Sequence, residues 1–260
     1  MNALVLSAGG TFGAYEAGAW RALEDRGFRP TIVVGTSIGA INAAAVARGC
    51  PAGRLEQWWR DPRSSVFRQG FLDQRALQAR LEELFLEFPR PLPGVRLLVT
   101  LTELPSTRIR VVSDEQVTPR ALLASCAIPF LCAPVKLDGR RYVDGGVFCR
   151  LPLSVAVEAG ATEIVTVDLL AAPPSKLARG LLQVAIAVRG LLLREPDRMA
   201  ASPGVRLIRV EPTEPLGTLR DIVRWDLANV NRWIESGYRD AMTASAAAAS
   251  SPSAERAAPK

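Results

Sequence analysis

The chain has 260 residues, of which 48% are hydrophobic and 22% are charged, and its formal net charge is +6. This apolar content excludes a wholly disordered chain and is enough for one large α/β domain, which we place at residues 1–243. The chain contains no histidine, which excludes Ser-His-Asp and Cys-His catalysis as well as histidine-ligated metal sites.

The first 50 residues predict two strand-turn-helix units. An apolar run over Asn2–Leu6 predicts a buried strand, and residues 13–26 have helical spacing. Residues 31–34 predict a second strand, followed by an apolar helix over residues 38–48. Two such units in succession indicate parallel strands covered by helices.

The middle of the chain is less regular. Asp73 is typical of a helix N-cap and predicts a helix over Gln74–Glu87. The dipeptide Asp138-Gly139 is typical of a hairpin turn, here between short strands at residues 135–137 and 141–143. Further elements predicted here are strands over residues 96–103 and 108–113 and a short helix over residues 118–127.

The last third returns to the alternation of helix and strand. The predicted elements are a helix over residues 152–159, a strand over residues 163–169, a long helix ending near residue 194, a strand over residues 205–210 and a helix over residues 218–242. Residues 244–260 are rich in alanine, serine and proline, and we expect them to form a disordered tail.

The first candidate site is Gly35-Thr36-Ser37-Ile38-Gly39, between a predicted strand and a predicted helix. A tight turn at this place lifts a serine hydroxyl above the sheet, and Gly35 and Gly39 leave room for it. The positive end of the following helix points at the same place. The pattern by itself is equally typical of an ordinary strand-to-helix turn, so it makes Ser37 a candidate nucleophile and no more.

The second candidate site is the glycine turn Ala8-Gly9-Gly10-Thr11-Phe12-Gly13. Successive N–H groups in such a turn can converge on a phosphate or on the oxyanion of a tetrahedral intermediate. A dinucleotide fingerprint needs a glycine where Ala8 stands and an acidic residue after the second strand, and the chain has neither. A nucleotide-dependent oxidoreductase is therefore disfavoured.

The third candidate site is Asp144-Gly145-Gly146, at the end of a predicted strand. In a chain without histidine, Asp144 is a candidate base, although Asp-Gly is also a common turn dipeptide. Asp114, Asp138 and Asp168 compete for the role. Asp138 is better explained by its hairpin, which leaves Asp168, at the end of another predicted strand, as the main rival.

Taken together, the three sites resemble the patatin-like phospholipase family. The resemblance extends over roughly residues 3–170 and includes the segments 13–18, 124–129 and 135–146. It implies a three-layer α/β/α fold with a mainly parallel central sheet, and a serine hydrolase that needs neither metal nor cofactor. The roles it implies are Ser37 as nucleophile, Asp144 as proton acceptor, the N–H groups of Gly9 and Gly10 as oxyanion hole, and Gly13, Gly35, Gly39, Gly145 and Gly146 as motif glycines.

The chain departs from the family pattern at three places. Ala8 stands where the family has glycine, Phe12 where it has a basic residue, and Cys149-Arg150 where asparagines are common. Ala8 is tolerable if its φ is not positive. The loss of the cation at Phe12 leaves open that activity is weak, altered or absent.

The resemblance implies hydrolysis of lipid carboxylic esters, in phospholipids or acylglycerols. A soluble carboxylesterase, thioesterase or acyltransferase with the same dyad stays open, and so does a catalytically silent lipid- or partner-binding relative. The arginines are scattered, which disfavours nucleic-acid binding but leaves peripheral contact with a membrane surface open. No uncharged apolar run approaches the roughly 18 residues that span a bilayer, and no signal peptide is visible, so we expect a cytoplasmic protein.

Overall fold

The structure, a computed structural model, describes residues 1–68, 71–129, 131–171 and 204–250. The long helix predicted to end near residue 194 lies outside these residues, and so does the part of the predicted tail beyond residue 250.

Ten strands and seven α-helices are found in the described ranges. The strands are β1 (Asn2–Leu6), β2 (Ile32–Thr36), β3 (Phe67–Arg68), β4 (Phe71–Leu72), β5 (Arg96–Leu104), β6 (Ile109–Ser113), β7 (Val135–Leu137), β8 (Arg140–Asp144), β9 (Glu163–Val167) and β10 (Arg206–Val210). The helices are α1 (Gly13–Asp25), α2 (Ile38–Ala47), α3 (Ala52–Arg60), α4 (Gln74–Glu87), α5 (Pro119–Ser125), α6 (Leu153–Glu158) and α7 (Leu227–Ser250).

Eight of these strands form the central sheet, in which β10, β9, β1, β2 and β5 are neighbours in that order. One edge of β5 pairs with β2 and then with β8, which in turn pairs with β7. The opposite edge of β5 pairs with β6. The pairs from β10 to β5 are parallel, whereas β6, β7 and β8 join in antiparallel fashion. The predicted α/β architecture with a mainly parallel central sheet is therefore confirmed.

The register of β5 explains why two distant parts of the chain meet at one edge of the sheet. β2 pairs with residues 96–100 of β5, ending at Thr36↔Thr100, and β8 pairs with the next residues of the same edge, ending at Leu101↔Asp144. The carboxyl ends of β2 and β8 consequently face each other. Ser37 follows the first and Asp144 ends the second.

Side chains that alternate along the strands build a core on each face of the sheet. On one face, Leu4, Val33 and Val99 pack under α1, α2, α3, α5 and α7. On the other face, Val5 and Val34 pack against α6, the helix described on that side. The helices therefore lie in two layers around the sheet.

Helices α1 and α7 cross with their backbones in contact. A Cβ at Gly18 of α1 would overlap the carbonyl oxygen of Ile234, and a Cβ at Gly237 of α7 would overlap the carbonyl oxygen of Tyr15. The Tyr15 hydroxyl donates a hydrogen bond of 2.9 Å to Asp240. A glycine on each helix permits this approach, which fastens the last helix to the first.

The last helix differs from its prediction over residues 218–242. The Asp221 carboxylate accepts hydrogen bonds from the Thr218 N–H and hydroxyl, which closes a turn in place of a helix. The helix begins at Leu227, where Asp226 accepts from the Asn229 N–H as an N-cap. It then continues to Ser250 because its end is rich in alanine, the best helix former. Residues 244–250, which we expected in a disordered tail, are thus helical.

Helix α3 and the β3–β4 ribbon are absent from the sequence prediction. Pro51 before the helix and the apolar positions Leu55, Trp58 and Trp59 are the signal that could have found α3, because they have helical spacing. Strands of two residues give no comparable periodicity.

Candidate active site

The turn between β2 and α2 holds Ser37 in a strained conformation. Ser37 has φ 55° and ψ −126°, a region that residues other than glycine rarely adopt. A Cβ at Gly35 would overlap the carbonyl oxygen of Gly39, and a Cβ at Gly39 would lie 2.6 Å from the carbonyl oxygens of Leu6 and Ser7. The two motif glycines are therefore required by close backbone packing, which fixes the serine above the end of the sheet.

The structure brings Ser37 and Asp144 into direct contact. The Ser37 hydroxyl donates a hydrogen bond of 2.6 Å to Asp144 Oδ2, and both side chains are buried. The Gly146 N–H donates to the other carboxylate oxygen, Oδ1, at 2.6 Å. The Thr102 hydroxyl donates to the Asp144 carbonyl at 3.1 Å. The aspartate is thus oriented by both its backbone and its side chain.

Burial sets the protonation behaviour of this pair. Removal from water raises the pKa of Asp144 from 3.8 to about 6, while the hydrogen bonds from Ser37 and Gly146 act in the opposite direction. A carboxylate with a raised pKa is a better proton acceptor than one in water.

Ser125 also holds the nucleophile turn, although no sequence pattern predicted a role for it. Its hydroxyl accepts a hydrogen bond of 2.9 Å from the Ser37 N–H and donates one of 3.0 Å to the Thr100 carbonyl. Ser125 lies in the segment 124–129, which is part of the family resemblance. The resemblance therefore pointed to this segment, but it did not predict the contact with Ser37.

The turn after Asp144 packs against the glycine turn. A Cβ at Gly145 would lie 2.5 Å from the Thr100 carbonyl oxygen, and one at Gly146 would overlap the Ala8 methyl. Ala8 does not have a positive φ, so the condition for tolerating alanine at this position is met. The methyl group occupies the space that Gly146 leaves.

In the glycine turn, neither Gly9 nor Gly10 donates its N–H to another described residue. Gly10 has φ 58°, and a Cβ there would overlap the Ile222 carbonyl oxygen, whereas one at Gly9 would lie 2.5 Å from Leu169 Cδ1. Gly10 and Ser37 line the same pocket.

Phe12, which stands where the family resemblance leads us to expect a basic residue, is part of the core. Its ring is 1% exposed and packs edge to face on Trp233 of α7, with 5.1 Å between ring centroids. The Trp233 indole donates a hydrogen bond of 2.7 Å to the Leu216 carbonyl. The Thr11 hydroxyl donates to the Asp221 carbonyl. The glycine turn is therefore held by the segment around residues 216–233, in which no sequence motif predicted a role.

A buried hydrogen-bond chain supports the turn from its inner side. The Asn42 amide donates to the Gly13 carbonyl at 2.9 Å and to the Glu16 carboxyl at 2.8 Å. The Trp59 indole donates to the Asn42 amide oxygen at 3.0 Å. Glu16 is fully buried, and its removal from water raises the pKa of its carboxyl well above the ordinary value. Asn42 thereby joins α1, α2 and α3.

The pocket above Ser37 is apolar and narrow. Its walls are mainly hydrophobic, and none of the described residues that line it is charged. Its volume of about 30 Å³ holds about two water molecules. The lining includes Gly10, Ser37, Ile38, Trp58, Trp59 and Leu72.

The rival aspartates are engaged elsewhere. Asp168 forms an ion pair with Arg150, with 2.8 Å between Arg150 Nη2 and Asp168 Oδ2, and also accepts from the Leu170 N–H. Asp114 accepts a hydrogen bond from the Leu97 N–H at 2.8 Å, and Asp138 occupies its predicted hairpin turn with φ 46°. Among these candidates, Asp144 is the aspartate that contacts Ser37.

Within the described ranges, no group of three or more cysteine, aspartate or glutamate side chains could hold a metal ion. Within the same ranges, no helix combines the length and the apolar character needed to cross a bilayer.

Comparisons with known proteins support a family assignment. A family model described as patatin-like phospholipase matches residues 4–157. An uncharacterized NTE family protein of Mycobacterium tuberculosis is 30% identical over 181 residues, which cover 64% of this chain and 48% of the relative. The human patatin-like phospholipase domain-containing protein 6 is 27% identical over 190 residues, which cover 64% of this chain and 13% of that protein.

Similarity to a solved structure supports the fold alone. The crystal structure of VipD from Legionella pneumophila superposes with a TM-score of 0.53 at 15% identity, covering 95% of this chain and 67% of that one. The chain spans about half the length of its mycobacterial relative. The match over residues 4–157 covers more than half of the chain and contains the glycine turn, the nucleophile turn and the aspartate turn. The chain therefore belongs to the patatin-like phospholipase family.

Proposed function

We propose that the protein is a serine acyl hydrolase that cleaves carboxylic ester bonds of lipids, phospholipids or acylglycerols, through a Ser37–Asp144 dyad. The observation that carries the proposal is the 2.6 Å contact between the Ser37 hydroxyl and the buried Asp144 carboxylate, in a chain that has no histidine. The family match and the apolar pocket beside Ser37 support the choice of substrate.

In the acylation step, Ser37 Oγ attacks the ester carbonyl carbon while its proton passes to Asp144 Oδ2. The electron pair of the carbonyl bond moves to the oxygen and forms a tetrahedral oxyanion. When this intermediate collapses, the bond to the alcohol oxygen breaks and Asp144 returns the proton to that oxygen. The alcohol leaves, and the acyl group stays on Ser37.

Stabilisation of the oxyanion falls to the glycine turn in this mechanism. The N–H groups of Gly9 and Gly10 have no acceptor among the described residues, and Gly10 lines the same pocket as Ser37. Fixed N–H donors in a water-poor site stabilise a developing negative charge far better than water does. The partial positive end of α2, which begins directly after Ser37, acts in the same direction.

Water completes the reaction. A water molecule attacks the acyl carbon and gives a proton to Asp144, and a second oxyanion forms. Its collapse breaks the bond to Ser37 Oγ, which takes the proton back from Asp144, and the free acid leaves. Asp144 thus serves as base and then as acid in each half of the cycle.

The narrow pocket favours a second candidate, a carboxylesterase for short, soluble esters. A volume of about 30 Å³ does not admit a long acyl chain unless the walls move apart. The two candidates share the dyad and differ in acyl length. Rates on a series of p-nitrophenyl esters separate them, because a lipid hydrolase prefers long chains and hydrolyses phosphatidylcholine vesicles, whereas the esterase is fastest on acetate or butyrate.

A fluorophosphonate probe tests the dyad without knowledge of the substrate. We expect an adduct on Ser37, located by peptide mass spectrometry, and its loss in Ser37→Ala and Asp144→Asn. The exposed residues Ser106 and Asp138 supply matched controls, since Ser106→Ala and Asp138→Asn should label like the unmodified protein. A protein that folds but takes no adduct would be a catalytically silent relative, and the proposal would be withdrawn.

A further inference from the structure

A second cavity, which we call the arginine groove, opens beside the catalytic pocket and has a volume of about 460 Å³. Its floor includes the buried side chains of Leu101 and Tyr142. Arg110, Arg120 and Lys136 line it as well. The groove is far larger than the pocket over Ser37 and differs from it in charge, so the two cavities suit different chemical groups.

The groove lies on the same face of the sheet as the dyad. Tyr142 and Asp144 are two residues apart on β8, so their side chains leave the same face, about 7 Å apart. Leu101 pairs with Asp144 on one side and with Arg110 on the other. Arg110 therefore points to this face too.

Helix α5 separates the two cavities. Arg120 is near the start of the helix, at the groove, and Ser125 at its end bonds to the Ser37 N–H. The groove is thus a neighbour of the catalytic pocket and not a continuation of it.

The three cations of the groove are not neutralised by described carboxylates. Arg110, Arg120 and Lys136 form no ion pair with any residue in the described ranges, although Asp138 also lines the groove. Other arginines of the protein do pair with acids, for example Arg54 with Glu87, Arg63 with Asp61 and Arg140 with Glu103. Positive charges gathered around one cavity attract an anion.

One of the arginines is already oriented. Arg120 Nε donates a hydrogen bond of 3.1 Å to the Lys136 carbonyl. Its two terminal nitrogen atoms have no partner among the described residues. A guanidinium fixed in this way presents a planar pair of donors, which matches two oxygens of a phosphate group.

We propose that the arginine groove is a binding site for a phosphate ester, with the phosphate against Arg110 and Arg120 and the apolar part of the ligand on the floor formed by Leu101 and Tyr142. This site is separate from the proposed catalysis and contributes no reacting group. The apolar floor favours an anionic phospholipid, and a soluble phosphate ester is the other source of the same chemistry.

Vesicle binding tests the site. Protein carrying Ser37→Ala, which avoids hydrolysis, is sedimented with phosphatidylcholine vesicles that contain phosphatidylglycerol. Each lost charge-assisted hydrogen bond weakens binding substantially, so Arg110→Gln with Arg120→Gln should weaken it by at least about tenfold. The control Arg29→Gln with Arg90→Gln removes the same charge at exposed sites elsewhere and should bind within about twofold of the parent.

A soluble probe identifies the source of the phosphate. If glycerol 3-phosphate stabilises the parent protein but not the variant with Arg110→Gln and Arg120→Gln, which we call the groove variant, the ligand is a soluble phosphate ester. If the parent protein binds the vesicles but is not stabilised by glycerol 3-phosphate, the ligand is the lipid. If the control variant loses as much binding as the groove variant, general charge explains the result and the site is refuted. Failure of the parent to bind either probe refutes it as well.

A hydrolysis measurement keeps this inference distinct from the proposed function. With Ser37 intact, the groove variant should hydrolyse p-nitrophenyl butyrate within about twofold of the unmodified protein. An inactive dyad in a protein whose groove still binds phosphate would remove the proposed function and leave the groove in place.

Discussion

The two halves of the candidate site are held in different ways. The nucleophile turn is fixed by backbone that lies close to it in the sheet, through Gly35, Gly39 and the Ser125 hydroxyl. The glycine turn is fixed by a segment more than 200 residues away, through the Phe12–Trp233 contact and the Thr11–Asp221 hydrogen bond. One half is thus held by its motif glycines together with the neighbouring elements of the sheet edge, whereas the other half depends on the packing of the last helix.

The largest effect is expected from Gly35→Ala, which breaks the locally held half. The added methyl group would overlap the Gly39 carbonyl oxygen, so the turn must shift. A displacement of about 1 Å at a catalytic group costs roughly 100-fold in rate, and fluorophosphonate labelling should fall at least that far. Gly53→Ala is the control, since a methyl there meets nothing within 4 Å and should stabilise α3 by about 1 kcal/mol.

Phe12→Arg breaks the half that is held from a distance. A guanidinium in place of the ring loses the Trp233 contact and is buried without an acid, so we expect the free energy of unfolding to fall by about 3–5 kcal/mol. Denaturant unfolding measures this. The substitution Leu86→Arg adds the same charge at a side chain that is 82% exposed and should change stability little. A Phe12→Arg protein of full stability and higher activity would mean that the family's cation can be accommodated after all.

Asp144→Asn sharpens the comparison by measuring how strongly the Asp144 carboxylate is removed from water in the nucleophile half. The pKa of Asp144 is raised on folding from 3.8 to about 6, so its ionisation disfavours the folded state as pH rises through this range. The variant cannot ionise. At pH 8 it should be more stable than the unmodified protein by about 3 kcal/mol, and near pH 3 the two should match. Equal stabilities at both pH values would show that the carboxylate is well hydrated.

The pH dependence of turnover gives the smallest effect. Asp144 must be ionised to accept the serine proton, so kcat/KM for a soluble ester should fall about tenfold per pH unit below about 6 and level off above it. The control is Asp168→Asn, which should keep the same inflection because Asp168 is paired with Arg150. An inflection near 4 would point to a solvated base.

The same contrast explains what could be predicted from the sequence. The strand-turn-helix units around Ser37 are local, and periodicity with glycine spacing predicted both their elements and the parallel arrangement of their strands. The contact between Ser37 and Asp144 depends on the β5 register, which no local pattern encodes, and the family resemblance supplied the pairing instead.

The role of Phe12 could not be predicted from the residues around it in the sequence. From the sequence it was a missing cation, and only the position of Trp233 on α7 makes it a core residue. The start of α7 was misplaced for a related reason. Thr218 and Asp221 form a local turn whose hydrogen bonds compete with the helix, and a periodic pattern does not reveal them.

The crossing of α1 and α7 has a consequence for how the protein is made. A ribosome synthesises the chain from its N-terminus, so the dyad and both glycine motifs are complete while Trp233 and Gly237 are still to come. Until α7 docks on Gly18, the glycine turn lacks its outer support. The proposed hydrolase would therefore become active only late in its synthesis, and fluorophosphonate labelling of stalled nascent chains of increasing length would locate that moment.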